Sequence, residues 1–197
     1  MDAAISDQTR VFHIGSLALI EGADADLWEQ RFETLAANDV ITSLDPNARP
    51  VVVKDKEPYV ARLLRVMKNA RVLKLSDEDL EFLAPDQPLM DAFECICAKT
   101  QAAIIILTKG ADGAVVRCGP TQFDVAAAQA NPLVDTVGAG DTFMGTLLVE
   151  ISKTGLSASN LGSIAKDDLE QIVTRAAKAA ALNCQSAGCN PPYEQDL

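Results

Sequence analysis

Hydrophobic and polar positions alternate along this chain in two rhythms: short runs of consecutive apolar residues, and longer stretches with a repeat of three to four. Val11 to Leu17 is short and apolar and predicts a strand. Ala25 to Asn38 carries Leu27, Trp28, Phe32 and Leu35 at helical spacing, with polar residues between them. Val40 to Leu44 predicts a second strand. It is stopped by Asp45-Pro46-Asn47-Ala48-Arg49-Pro50, where the prolines forbid continuation. Pro58 to Asn69 follows as a helix, with Val60, Leu63, Leu64 and Met67 on one face. Val72 to Leu75 predicts a short buried strand, Asp77 to about Leu83 a helix, and Leu89 to Lys99 another. Ala103 to Thr108 is the most strand-like run in the chain. Lys109-Gly110-Ala111-Asp112-Gly113 makes a turn into Ala114 to Cys118. Two helices, Thr142 to about Lys153 and about Asp168 to Asn183, complete the pattern.

Strands alternating with helices imply an α/β fold with a mainly parallel sheet covered on both faces. The turn from Gly110 to Gly113 is expected to form a hairpin and add an antiparallel element. Ligands of such sheets bind beyond the carboxyl ends of the strands. The loops at Asp45 to Pro50, Ser76, Thr108 to Gly113 and Asp135 to Asp141 all follow strands or extended segments. They are expected to converge on one site. Residues 1–197 are expected to form a single domain, since a chain of this length buries a sizeable core.

Composition narrows the partners. A net charge of −11 excludes a general nucleic-acid binder, because phosphate backbones are held by clustered Lys and Arg. It argues equally against anionic membrane surfaces, and no apolar run reaches the roughly eighteen residues of a membrane span. Met1-Asp2-Ala3-Ala4 lacks the basic and apolar regions of a signal peptide. With an odd number of cysteines, Cys95, Cys97, Cys118, Cys184 and Cys189, the expectation is a cytoplasmic protein with reduced thiols. Those thiols read as small apolar packing rather than as a zinc site.

Candidate chemistry centres on Asp135-Thr136-Val137-Gly138-Ala139-Gly140-Asp141-Thr142-Phe143. The glycines let backbone approach an anion, and the apolar run after Phe143 supplies a helix whose first N–H groups and dipole favour one. Gly138 to Asp141 is expected to lead into that helix. The third glycine of a dinucleotide fingerprint would fall at Phe143, so that pattern fails, and no GxxxxGK[ST] occurs. On the residues alone, Asp141 either caps the helix or stands ready to accept a proton from a neighbouring hydroxyl. Ser76-Asp77-Glu78-Asp79 has the spacing of a capping box. The glycines of Thr108 to Gly113 suit a turn. Asp45-Pro46-Asn47-Ala48-Arg49 is either a polar turn or a functional loop.

In order along the chain, Phe12-His13-Ile14-Gly15-Ser16, Asp45 to Pro50, Lys74 to Asp79, Thr108 to Gly113 and Asp135 to Asp141 resemble the PfkB, or ribokinase-like, family of carbohydrate kinases. An Ala-rich last helix leading to Gly188 and Pro191-Pro192 fits the same pattern. Within the family the Asp45 to Arg49 and Lys74 to Asp79 segments are most similar to fructokinases, with a ketodeoxygluconate kinase second. The resemblance implies a three-layer α/β/α fold. It implies ATP and magnesium, a sugar acceptor such as fructose, and a potassium site of the kind many members have beside the anion loop. Asp141 would be the base that takes a proton from the sugar's primary hydroxyl. Gly138, Ala139 and Gly140 would offer backbone N–H groups to the γ-phosphoryl. Ser76, Thr108, Gly110, Gly113 and Gly188 would flank the nucleotide. Asn47 and Arg49 would approach substrate. Asp79 would stand at the acidic position of the family's Asn-x-x-Glu motif, linked to magnesium, and Asp135 at the monovalent-cation site.

The chain departs from the family at its front, where nothing before Val11 supplies the Gly-Gly and Asn sugar-binding segment or the small β-sheet lid. The expectation is therefore an N-terminally truncated fold, with the sugar pocket incomplete unless a missing half supplies it, and with an exposed sheet edge that suits a homo-oligomer. The alternative is a non-catalytic nucleotide-binding or interaction module, a remnant of such a kinase.

Overall fold

In the computed structural model, residues 5, 6 and 8–197 are described. The strands are β1 (Val11–Gly15), β2 (Ile41–Asp45), β3 (Val72–Ser76), β4 (Ile104–Thr108), β5 (Ala114–Cys118) and β6 (Thr121–Val125). The α-helices are α1 (Gly22–Ala36), α2 (Lys56–Lys68), α3 (Asp77–Leu83), α4 (Leu89–Cys97), α5 (Ala139–Lys153) and α6 (Lys166–Asn183). The six strands form one mostly parallel sheet in chain order within a three-layer α/β/α architecture. The residues fall into two compact units. One runs to Leu107 and takes in Ser157–Gly162; the other comprises Thr108–Leu156 and Ser163–Leu197.

In the first unit β1 pairs parallel with β2, Val11 opposite Ile41 and Gly15 opposite Asp45, and β2 pairs parallel with β3. Every residue of β2 is buried, including Thr42, Ser43 and Asp45. A parallel strand sheltered on both faces must find partners for such polar groups locally. Thr42 Oγ1 donates to the Asn69 carbonyl at 2.6 Å, and Ser43 Oγ lies 3.1 Å from His13 Nδ1. Asp45 Oδ2 accepts from Lys74 Nζ at 2.7 Å, with both side chains buried.

The helical faces differ in detail from the sequence pattern. On α1 the buried positions are Ala25, Phe32 and Leu35, while Leu27 is 47% exposed. On α2 they are Tyr59, Leu63, Val66 and Met67, with Val60 and Leu64 on the half-buried flank. Ion pairs from Arg62 to Asp26 and from Arg65 to Glu29 at 2.5 Å tie α2 to α1.

In the second unit β5 and β6 are antiparallel, from Ala114 opposite Val125 to Cys118 opposite Thr121, joined at Gly119-Pro120. Strand β6 has no counterpart among the sequence expectations. The segment Lys109 to Gly113 does form a turn, closed by the Lys109 N–H donating to the Gly113 carbonyl at 2.8 Å. Gly113 has φ +82°, and a Cβ there would meet the Val125 carbonyl oxygen at 2.2 Å, so close packing on β6 requires glycine. Helices α5 and α6 pack together; α5 buries Phe143, Leu147 and Ile151 among others, and α6 buries Leu169, Val173, Ala176 and Ala179. Each large apolar side chain buried this way contributes about 1.5–3 kcal/mol. Among the described residues no helix is long and apolar enough to cross a membrane.

Candidate functional site

In the second unit, the run around Gly138 becomes the start of α5. Gly138 is the N-cap, with φ +77° and ψ 1°, and its carbonyl accepts the first helical bond from the Thr142 N–H at 2.8 Å. The helix therefore begins at Ala139, three residues before the apolar run suggested. A left-handed N-cap followed at once by helix leaves the first-turn N–H groups of Gly140 and Asp141 ahead of that bond, without a helical carbonyl. Asp141 lies in this first turn and is exposed. A carboxylate there is favoured by the helix dipole.

Asp141 borders a cleft of about 400 Å³ that runs along α5 past Thr142, Gly145 and Val149 to Arg175, Cys189 and Pro191. Thr142 Oγ1 is buried and makes no hydrogen bond. Cys189 is the one exposed thiol of the five, and none of them forms a disulfide. A Cβ placed on Gly138 would come 2.5 Å from Cys189 Sγ and 2.9 Å from its Cβ, so packing as well as φ requires glycine at the N-cap.

The loop before the cap is held by the end of α6 and the segment after it. The Val134 and Asp135 N–H groups donate to the Cys184 carbonyl at 2.9 and 3.2 Å. Asp135 Oδ1 accepts from the Val137 N–H at 3.1 Å, and Oδ2 from the Gly188 N–H at 2.8 Å. These backbone donors, Gly188 first, hold the Asp135 carboxyl below its ordinary range. Gly188 thus stands beside Asp135. As an ionised side chain with lone pairs remaining on both oxygens, Asp135 fits one ligand position of a monovalent cation. Asn183 Nδ2 donates to the Val137 carbonyl at 2.8 Å, and its Oδ1 accepts from the Asn190 N–H at 2.8 Å. Asn183, Thr142 and Cys189 carry no individual functional expectation from the sequence. The signal for Asn183 was a polar residue on the buried face of an Ala-rich helix. In the same unit Thr108 and Gly110 flank the turn that Gly113 closes, and Gly110 has open space beside its Cα.

The first unit holds the other candidates. Asn47 adopts φ +39° and is half-buried, and Arg49 is exposed at the head of a short 3₁₀ turn. Ser76 and Asp79 form a complete capping box on α3: the Asp79 N–H donates to Ser76 Oγ at 3.0 Å, and the Ser76 N–H to Asp79 Oδ2 at 2.8 Å. Ser76 Oγ also donates to Oδ2, and the Ala48 N–H donates to Oδ1 at 2.7 Å. Asp79 is 2% exposed, with three hydrogen bonds accepted across its two oxygens and no open side for an ion. It does not fit a magnesium ligand in this arrangement. Among the described residues no group of three or more His, Cys, Asp or Glu side chains is placed to hold a metal. A magnesium ion carried on nucleotide phosphates needs no such cage.

Gly138→Ala is expected to cost about 1–2 kcal/mol through the left-handed backbone, and more through Cys189. Cys189→Gly in the same chain removes the obstructing atoms, so the double variant is expected to recover part of the loss. Thermal denaturation of the four proteins reads the coupling. Simple additivity would reject the contact.

The family model described as pfkB family carbohydrate kinase matches residues 2–196. A fructokinase of Rhizobium leguminosarum bv. trifolii is 34% identical over 152 residues, 77% of this chain and 46% of that protein. A fructokinase of Salmonella thompson is 28% identical over 187 residues, 94% of this chain and 81% of its own. Among solved structures, a double mutant of the Vibrio cholerae O395 fructokinase with fructose, ADP and potassium bound superposes with a TM-score of 0.79 at 25% identity. That match covers 94% of this chain and 58% of the other. The ATP-bound fructokinase of Xylella fastidiosa gives a TM-score of 0.83 at 24% identity, over 96% and 59% of the two chains. The chain spans about half the length of most of the curated relatives it matches. With the family match running over nearly its whole length, from before β1 to beyond α6, this chain belongs to the pfkB family of carbohydrate kinases.

Proposed function

We propose that this chain supplies the phosphate-handling part of ATP-dependent sugar phosphorylation, with fructose as the favoured acceptor. The observation that carries the reading is the start of α5: a left-handed glycine cap, two first-turn N–H groups without helical partners, and the Asp141 carboxylate in the same turn. The fructokinases among its relatives support the choice of sugar. In the proposed reaction the acceptor's primary hydroxyl gives its proton to Asp141 as its oxygen bonds to the γ-phosphorus, and the bond to ADP breaks. The N–H groups of Gly138 and Gly140 meet the negative charge on the phosphoryl oxygens; that of Ala139, which donates to the Thr136 carbonyl at 3.2 Å, joins them only by leaving that bond. Such transfer asks a protein mainly for positioning and charge stabilisation, which a preorganised helix start provides.

Thr108, Gly110 and Gly113 belong in this reading beside the nucleotide, with Gly188 at the end of the same site. Asn47 and Arg49 are proposed for substrate, and Asp135 for a potassium ion. Magnesium would arrive with ATP rather than on Asp79.

Titration calorimetry of the purified chain with ATP, followed by coupled assay against a panel of sugars, tests the proposal. The expected result is weak ATP binding and little or no phosphorylation of fructose by this chain alone, since it spans about half the length of most relatives. ATP binding with transfer to no sugar, even alongside the remaining half of a relative, would favour a non-catalytic nucleotide-binding module. Absence of ATP binding would overturn both readings.

A further inference from the structure

Asn183 closes α6 and is 0% exposed, at the end of a run of Ala and Leu. A buried carboxamide must find partners for both ends or cost about 1–3 kcal/mol. Both ends are used, and both partners are backbone. Nδ2 donates to the Val137 carbonyl and Oδ1 accepts from the Asn190 N–H, each at 2.8 Å. The first of these bonds falls on the peptide between Val137 and Gly138, the residue that caps α5.

A trans peptide points its C=O and its N–H in opposite directions. With the Val137 carbonyl drawn to Asn183, the Gly138 N–H faces away from α6. The same plane is steadied from both sides. Asp135 Oδ1 accepts the Val137 N–H ahead of it, and Cys189 packs on the Cα of Gly138 behind it. The carboxamide therefore sets the direction of a donor that it does not touch.

We infer that Asn183 is a positioning residue for the phosphate loop: it fixes the Val137–Gly138 peptide so that the Gly138 N–H is aimed at the terminal phosphate of a nucleoside triphosphate. This rests on the proposed γ-phosphoryl cradle. It goes beyond it in assigning the loop's aim to a residue about 45 positions later in the chain.

The test compares binding of the imidodiphosphate analogue of ATP with binding of ADP, by titration calorimetry on the full chain. Asn183→Asp keeps shape and the acceptor for Asn190 but sets a carboxylate oxygen against the Val137 carbonyl. It is expected to weaken the triphosphate analogue about tenfold, in line with loss of one hydrogen bond to a charged group, and to leave ADP within twofold. Asn183→Ser, which keeps a small polar side chain, is read in the same way if the aspartate variant does not fold. Partial unfolding would lower the number of sites and leave the ratio of the two affinities alone, so the ratio separates aim from stability. A wild-type chain that binds the triphosphate analogue no better than ADP would overturn the cradle and this role with it. A wild-type preference that survives in a folded variant would overturn the role of Asn183 alone.

Discussion

Asp141→Asn is expected to slow phosphoryl transfer by about 10²–10⁴-fold, the usual worth of a positioned general base, with ATP affinity unchanged or slightly raised. The substitution preserves size and the ability to hydrogen-bond at a helix start, but an amide cannot take the acceptor's proton. Its effect on folding is small. Asp141 is exposed in the first turn of α5, and losing a surface charge–dipole interaction there costs about 0.3–1 kcal/mol. Removing a negative charge beside an anion site also relieves repulsion, so nucleotide binding moves the other way from rate. Steady-state kinetics and calorimetry on the same preparation, in whichever assembly phosphorylates sugar, separate these effects. A rate within a few-fold of wild type would reject Asp141 as the base and leave it as a helix cap.

Lys74→Met is expected to have the largest effect on stability, about 3–5 kcal/mol, because it strands Asp45. Asp45 and Lys74 are 3% and 5% exposed, 2.7 Å apart, and Asp45 Oδ1 has no partner at all. Burial already pushes the Asp45 carboxyl up, Lys74 pulls it down, and Asp79 adds to the rise. Without Lys74 the upward causes are opposed only by the weaker pull of His13. A carboxyl whose folded value exceeds its unfolded value binds its proton more tightly when folded. Stability then falls as pH rises from the unfolded value, near 3.8, through the folded one. Wild-type Asp45 is itself raised, so the deficit of Lys74→Met is expected to grow only as pH climbs above the wild-type folded value, and to shrink in acid, where Asp45 is buried neutral in both proteins. Urea denaturation at several pH values checks this. A deficit independent of pH would mean that Lys74 acts through packing rather than charge.

Most of the fold could be read from apolar spacing, and the misses have physical causes. Strands β2, β3 and β4 and helix α3 stand within a residue of their expected limits because proline, a capping box or a turn marks their ends. Strand β6 went unread although Thr121 to Val125 alternates. Only Phe123 and Val125 are apolar there, and Gln122 and Asp124 are exposed to solvent. Helix α5 starts early because Gly140 has low helix propensity and looks like loop, while the left-handed Gly138 and the packed α5–α6 pair override that preference. At the site, the glycine run and Asp141 were visible as a local motif. The residues that shape it were not, since Asn183 and Cys189 act from 45 or more positions away and no local pattern encodes such a contact.

The Asp79 carboxylate joins pieces of chain that the sequence keeps some thirty residues apart, holding the Ala48 amide as well as the first turn of α3. Fraying of α3 would carry away the carboxylate that holds the loop after β2, which ties the loop's opening to that of the helix. In amide exchange, the Ala48 and Ser76 protons should be lost together, through one shared opening, rather than each at the pace of its own segment.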